Sequence, residues 1–401
     1  MPVNERVRVL VYGGVGSAAC DVYRRALYVS RLADFGVDLV SWTPPLRHPP
    51  AYAGRWFDAI RDGVAQLDLS EVGQAQVVLF SRWSNTHAAC TVCGAACASP
   101  DGLADHSHSA GHDTLGMDPL LRLLVPSLLS DPKRRCALMY DVDDDLFHQP
   151  AWVGHGAGLA REMDLVELLV RAADLVTVST PVLHKVLQPF TPRLHLVRNA
   201  IEPAWYFADC ADGAGEPRIL FYGADVRRRD YALCQAAVDE TVRAYPAASR
   251  VWLGSDSPAV RALVDEAHGP VAAGPAFATA IANLRPHIGL APLQPGEFAS
   301  AKSELHWLEY SLVGAATVAS RFATGGPYDP IEDGKDGLLA EGADEWQRAL
   351  ARLAASSALR ADIAGRARER VLAEYQAAAR AVEWAAAYRW AAAHPGIGPK
   401  V

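Results

Sequence analysis

Lys302, Ser303 and Glu309 are the residues whose types and spacing first suggest chemistry, in the stretch 299–320, ASAKSELHWLEYSLVGAATVAS. Leu305, Leu308, Leu312 and Val313 recur at helical spacing, so Lys302 and Ser303 are expected at the first turn of a helix, with Glu309 about two turns on. A helix start offers unsatisfied backbone N–H groups and the positive end of the dipole. A Lys and a Ser hydroxyl there make a cradle for an anion such as a diphosphate. A Pro/Gly-rich loop, 292–296, leads into this helix, Gly314 is expected to stop it, and the β-branched run TVAS follows as a strand.

Three other clusters carry chemical potential. The run CALMYDVDDDLFHQP, 136–150, puts Asp141, Asp143, Asp144 and Asp145 at the carboxyl end of a buried strand, where open α/β sheets place their ligands. Adjacent carboxylates repel one another, so their retention points to use. Asp143, Asp144 and Asp145 could bind acceptor hydroxyls or an acceptor cation, or one of them, with Asp144 the choice, could take a proton; a polar turn that caps the next helix is the alternative. Arg227, Arg228 and Arg229 follow the strand 218–222 and its closing Gly223, and a guanidinium pairs bidentately with phosphate. The segment 85–116 has almost no apolar residues and cannot fold on a core of its own. It holds Cys90, Cys93 and Cys97, then His106, His108 and His112. A C-x2-C knuckle, a third Cys and one His, with His108 the choice among the three, would complete a tetrahedral structural Zn site and supply the ordering energy. A disordered insertion with reduced thiols and an iron–sulfur cluster are the alternatives.

The elements that must position these groups alternate strand and helix along most of the 401 residues, which predicts parallel, doubly wound sheets. That length suits two domains of about 150 to 200 residues. The first is expected over 1–206 with the insertion 85–116, the polar stretch 207–217 as linker, the second over 218–380, and a terminal helix and tail over 381–401. The first strand, VRVLVY, opens into a glycine loop in which Gly14, Gly16 and Ser17 let the backbone approach a phosphate or a sugar ring. Arg24 in the helix after it either reaches a site or is solvated, and Trp384 with Tyr388 reads as packing. A net charge of −8 argues against nucleic acid or an anionic membrane surface as partner. No apolar run approaches membrane-spanning length, the N-terminus shows no signal-peptide core, and seven cysteines, an odd number, suit a reducing compartment; a cytoplasmic protein is expected.

The pattern K-S-x-L-x-W-L-E-Y-S-x-x-G from Lys302, with GPYDPIEDGKDGLL at 326–339, resembles the donor-binding region of GT-B glycosyltransferases of family 4 (group 1). The strand–S-T-P–helix order at 174–187, the strand with Asn199, and the D-x-D-D-D-L-F run are family-like as well. The resemblance implies two Rossmann-like domains facing a central cleft, the first on the acceptor side, the second binding the nucleotide sugar, with the C-terminal helix crossing back to the first. It implies retaining transfer of a sugar from a nucleoside diphosphate sugar, of GDP or UDP type, to a small-molecule or glycan acceptor, with no cofactor required for catalysis; a homodimer is compatible with it. Lys302 then contacts the diphosphate and Glu309 the ribose. Gly14, Gly16, Ser17, Gly223, Arg227 and Ser303 join the donor site, and Arg228 shares catalysis with Lys302 and Asp144. The chain departs from the family at Ala301, where many members carry a Glu that touches the transferred sugar. A GT-B sugar-nucleotide epimerase and an inactive donor-binding protein are the rival expectations.

Overall fold

The computed structural model describes residues 6–12, 19–42, 44–47, 49–52, 59, 62–81, 119–131, 134–150, 163–206 and 215–398. Gly14, Gly16 and Ser17 lie outside them, as do Cys90, Cys93, Cys97, His106, His108 and His112 and most of the expected linker. The chain divides into two compact units, Met1–Val197 with Ala381–Val401, and Arg198–Arg380. Residues 198–206 thus group with the second unit, and the last helix, Ala377–Ala393, runs into the first.

In the first unit, β1 (Val7–Tyr12), β2 (Val37–Trp42), β5 (Val77–Ser81), β6 (Ala137–Val142), β7 (Leu175–Val178) and β8 (Leu194–Leu196) form a parallel sheet in the order β2-β1-β5-β6-β7-β8. A small antiparallel pair, β3 (Leu46–Arg47) with β4 (Gln66–Leu67), stands apart. Every residue of β5, β6 and β7 is buried, as expected of parallel strands covered on both faces. The S-T-P signal is a helix start: Thr180 Oγ1 accepts from Leu183 N at 3.2 Å, and Pro181 opens Pro181–Leu187.

The second unit holds β9 (Arg218–Tyr222), β10 (Ser249–Leu253), β11 (Glu266–His268), β12 (Ile288–Ala291), β13 (Ala316–Ser320) and β14 (Leu338–Ala340), all parallel, in the order β11-β10-β9-β12-β13-β14. The order reverses at β9 and β12, so the crevice beyond their carboxyl ends is where such a sheet receives its ligand. Successive residues of β9 point to opposite faces. Leu220 enters a core with Trp307, Leu308 and Tyr310, while Ile219 and Phe221 enter a second with Tyr231, Trp252 and Trp346.

The motif helix starts later than the sequence pattern predicts. A short helix, Glu297–Ser300, ends at Ala301, and Leu305–Leu312 is a separate helix with Glu304 at its N-cap position, leaving Lys302 and Ser303 in the turn between. That turn is fixed from outside the helix. Asn199 Nδ2 donates to Ser303 Oγ at 2.9 Å, and Arg198 Nη1 lies 3.4 Å from the buried Glu304 Oε1. At the other end Gly314, with φ of +75°, stops the helix as expected, and Ala315 N donates back to Tyr310 O at 3.0 Å.

Tyr310 seats this helix on the sheet. Its hydroxyl donates toward the carbonyls of Leu220 and Leu290, each at 3.1 Å, and its ring lies flat against Gly289 of β12. A Cβ at Gly289 would come within 2.3 Å of the ring. Gly289→Ala should therefore cost about 1–3 kcal/mol, the usual price of overpacking a close contact, and should loosen the helix that carries Glu309. Urea unfolding at an unchanged midpoint would show that the contact gives way freely.

Candidate functional site

Tyr222 closes β9 at the reversal of strand order, and the groups singled out from sequence in the second unit gather beyond it. Gly223 follows with φ of +149°, which suits a residue without Cβ; a Cβ there would also sit 2.8 Å from Arg227 Cγ. Trp252 Nε1 donates to Gly223 O at 2.8 Å and fixes this bend. The bend brings Arg227 back across the strand end, where its Nη1 lies 2.9 Å from the buried Asp230 Oδ2. Arg228 takes a different course. Its Nε and Nη2 both reach Asp225 Oδ2, at 3.1 and 2.9 Å, on the surface. Arg227 thus lies against a buried carboxylate and Arg228, the catalytic choice from sequence, at the surface, because consecutive residues of a tight helical turn point in different directions.

The helix Leu305–Leu312 supplies the opposite wall. Glu309 is 3% exposed, and the Tyr222 hydroxyl donates to its Oε2. His306, one turn earlier on the same face, packs tilted against the Tyr222 ring with centroids 4.1 Å apart, and its Nδ1 lies 3.2 Å from the Tyr328 hydroxyl. Phe277 and Tyr310 meet Tyr222 edge-on at 5.0 and 5.4 Å. Desolvation, then the nearby positive charge of Arg227 and, more weakly, of Lys302, pulls the His306 pKa down to about 3, against a contact with the Tyr222 backbone that raises it. His306 is thus neutral at pH 7. Lys302 itself lies in the turn with its Nζ 4.3 Å from the Phe298 ring centre.

Sequence reasoning missed His306 and Tyr222. The signal was present: His306 precedes Glu309 by three residues, so both had to share a helix face, and Tyr222 adjoins the glycine that closes the strand.

In the first unit the acidic run has divided labour. Asp141 is 2% exposed and takes a bidentate contact from Arg24, with Thr177 Oγ1 donating to its Oδ1 at 2.7 Å. Arg24, expected in a site or in solvent, is in neither; it is buried in this ion pair. Asp145, expected as an acceptor ligand, is bonded to its own turn. Its Oδ1 accepts from the backbone N–H of Phe147 and His148 at 3.0 and 3.2 Å, and its Oδ2 meets His148 Nδ1 at 2.7 Å. Asp143 and Asp144 lie between these two anchored carboxylates, Asp143 partly exposed and Asp144 buried to 9% exposure. Ser179 Oγ donates to the Asp143 carbonyl at 3.2 Å and ties the turn to the start of the helix Pro181–Leu187. Among the described residues no cluster of His, Cys, Asp and Glu could hold a metal, and no helix is long and apolar enough to cross a membrane.

Residues 238–386 match the family model described as "Glycosyl transferase-like". No curated protein matches the chain significantly. Among solved structures the chain is similar to sucrose-phosphate synthase from Thermosynechococcus elongatus, with a TM-score of 0.61 and 14% identity over 96% of this chain and 99% of that one. HepE from Anabaena, solved in complex with UDP-glucose, gives 0.59 and 13% over 96% and 100%. WaaG, described as a glycosyltransferase involved in lipopolysaccharide biosynthesis, gives 0.56 and 13% over 94% and 98%. With two parallel six-stranded sheets of Rossmann type, the chain has the GT-B fold of glycosyltransferases, and its residues 238–386 carry the Glycosyl transferase-like family signature.

Proposed function

We propose that the protein is a retaining glycosyltransferase, resembling those of family 4, that moves a sugar from a nucleoside diphosphate sugar of GDP or UDP type to a small-molecule or glycan acceptor in the cytoplasm. The observation that carries this reading is the buried carboxylate of Glu309, held by the Tyr222 hydroxyl at the strand end where the second sheet reverses its order. A sheltered carboxylate at that crevice, with Arg227 after the strand end and Lys302 in the turn before the helix, suits a diphosphate and its ribose. HepE, with the same fold, was solved with UDP-glucose bound.

Glu309 would accept from the ribose, and Lys302 with Arg227 would stabilise the negative charge that grows on the departing diphosphate. The bond from the anomeric carbon to the diphosphate oxygen breaks while the acceptor oxygen bonds to the same face. The acceptor proton passes to the released diphosphate oxygen, so the step needs no protein base and no metal. Ser303 positions the Lys302 turn through Asn199. Asp143 and Asp144 would bind acceptor hydroxyls. Ala301 is fully buried, so the family's Glu contact to the transferred sugar has no counterpart at this position.

A thermal-shift screen with UDP, GDP, ADP and dTDP tests the donor class, because a ligand selective for the folded state raises its melting temperature. Glu309→Ala should weaken binding of the nucleotide found there by about 1–3 kcal/mol, the scale for hydrogen bonds to a charged group. Calorimetry showing the same dissociation constant would remove Glu309 from the site. Nucleotide binding with no transfer to any acceptor would favour an inactive binding protein, and donor turnover without acceptor would favour an epimerase.

A further inference from the structure

We propose that Asp230 is a positioning residue of the donor site: one buried carboxylate fixes the Arg227 guanidinium and ties together the loops that follow β9 and β12, so that a nucleoside diphosphate meets an arginine already in place. This rests on the reading of Arg227 as a diphosphate ligand. Asp230 is 1% exposed, and its two oxygens reach different loops. Oδ2 lies 2.9 Å from Arg227 Nη1, in the segment after β9. Oδ1 accepts from the backbone N–H of Gln294 at 2.8 Å, in the Pro/Gly-rich loop after β12. The Gln294 side chain returns the link, its Nε2 donating to the Arg229 carbonyl at 2.7 Å. β9 and β12 are the paired strands at which the sheet reverses its order, so Asp230 joins the two lips of the crevice that such a sheet offers a ligand.

An arginine side chain has many rotamers, and a ligand that must order one loses affinity in doing so. Here the order is built in. The stem of Arg227 runs across Gly223, where a Cβ would come within 2.8 Å of Arg227 Cγ and 3.1 Å of its Cβ. Its head is held by a carboxylate that is itself anchored to the Gln294 N–H. The loop carrying Gln294 is fixed in turn: Leu293 N donates to Ser320 Oγ at 2.9 Å, and Ser320 Oγ lies 3.2 Å from the Leu293 carbonyl. Asp230 also selects among the three arginines before it. It follows Arg227 by three residues, which brings the two to one face of the turn, and it is the buried acid of the run.

Calorimetry on the full chain with UDP and UMP, or with GDP and GMP if guanine is the base bound, tests this, because the members of a pair share base and ribose and differ in the second phosphate. Asp230→Asn keeps the size of the side chain and an acceptor for the Gln294 N–H but removes the charge that holds Arg227. It should weaken UDP about fivefold to tenfold and UMP less than about twofold. In an Arg227→Ala background the same change should alter UDP binding by less than about twofold, since the residue it acts through is gone. Unfolding gives a second measure. Arg227→Ala strands a buried carboxylate, so its urea midpoint should fall, and adding Asp230→Asn should restore part of that fall. A role in packing alone would weaken UDP and UMP alike, and a carboxylate that merely offsets the Arg227 charge would, once removed, tighten UDP. Either result overturns the inference, as does an unchanged UDP constant, an effect that persists without Arg227, or a midpoint that the second change lowers further. The donor site then still stands if Glu309→Ala weakens UDP. If neither UDP nor GDP binds the unaltered protein, the reading of the site is overturned and the inference with it.

Discussion

Asp141→Ala should be among the most destabilising single changes in the first unit, removing about 3–5 kcal/mol of its unfolding free energy, because it strands a buried guanidinium. Arg24 is 1% exposed and Asp141 2%, with Nε to Oδ2 at 3.1 Å and Nη2 to Oδ1 at 2.6 Å. Arg24 also donates through Nη1 to the Val197 carbonyl and lies over the Trp384 ring at 4.7 Å from its centre. One guanidinium thus joins the first helix, the end of β6, the chain after β8 and the C-terminal helix. Thr177 supplies a further donor to the carboxylate. Attraction within such a pair roughly offsets the cost of taking two ions out of water, so the large loss comes from leaving one partner alone. The double change Arg24→Met with Asp141→Leu should therefore lose clearly less than either single change to alanine. Urea unfolding followed by circular dichroism would measure both, with the loss assigned to the first unit if the two units unfold in separate steps. A single change that shifts the midpoint no more than the double would mean that the pair is solvated.

How far the sequence disclosed this molecule depends on whether the partners of a residue are near it along the chain. Local signals were legible. The apolar run ALMYDV is a fully buried parallel strand, Thr180 and Pro181 start a helix, Gly314 ends one, and the alternation of strands and helices resolves into two doubly wound sheets. Partnerships across the topology were not. Arg24 and Asp141 are 117 positions apart, and no pattern around either names the other. The helix start was misplaced for the same reason: Ser303 and Glu304 belong to a turn held by Asn199 and Arg198, more than a hundred positions earlier. Asp145 takes part in a local device, a carboxylate bonded to the backbone of its own turn, which the crowding of four acids in the sequence does not announce. Trp384 and Tyr388 were legible as packing residues, both fully buried, although Trp384 packs against the guanidinium of Arg24 as well as against its neighbour Tyr388 and Tyr28.

Lys302→Ala should lower turnover by about a hundredfold to a thousandfold, the scale for removing one preorganised donor from a site of developing negative charge. The ground-state diphosphate of a bound donor is already charged, so Lys302 contributes something to affinity. The leaving diphosphate gains a further charge as the sugar departs, so the contribution to the transition state is larger. The structure gives the reason for a preorganised contact. The ammonium stands on the Phe298 ring, and the turn that carries it is held at Ser303 by Asn199 and at Glu304 by Arg198, so little ordering remains to be done when charge develops. Burial raises the pKa of Glu304, with its own backbone N–H and then Arg198 acting against the rise. Arg227→Ala should resemble Lys302→Ala, whereas Arg228→Ala, which only releases an exposed pair with Asp225, should change turnover far less. Steady-state kinetics separate the cases. Lys302→Ala should lower kcat and kcat/KM together, while a loss confined to KM would mean that the ammonium binds donor and transition state alike and takes no part in expelling the diphosphate.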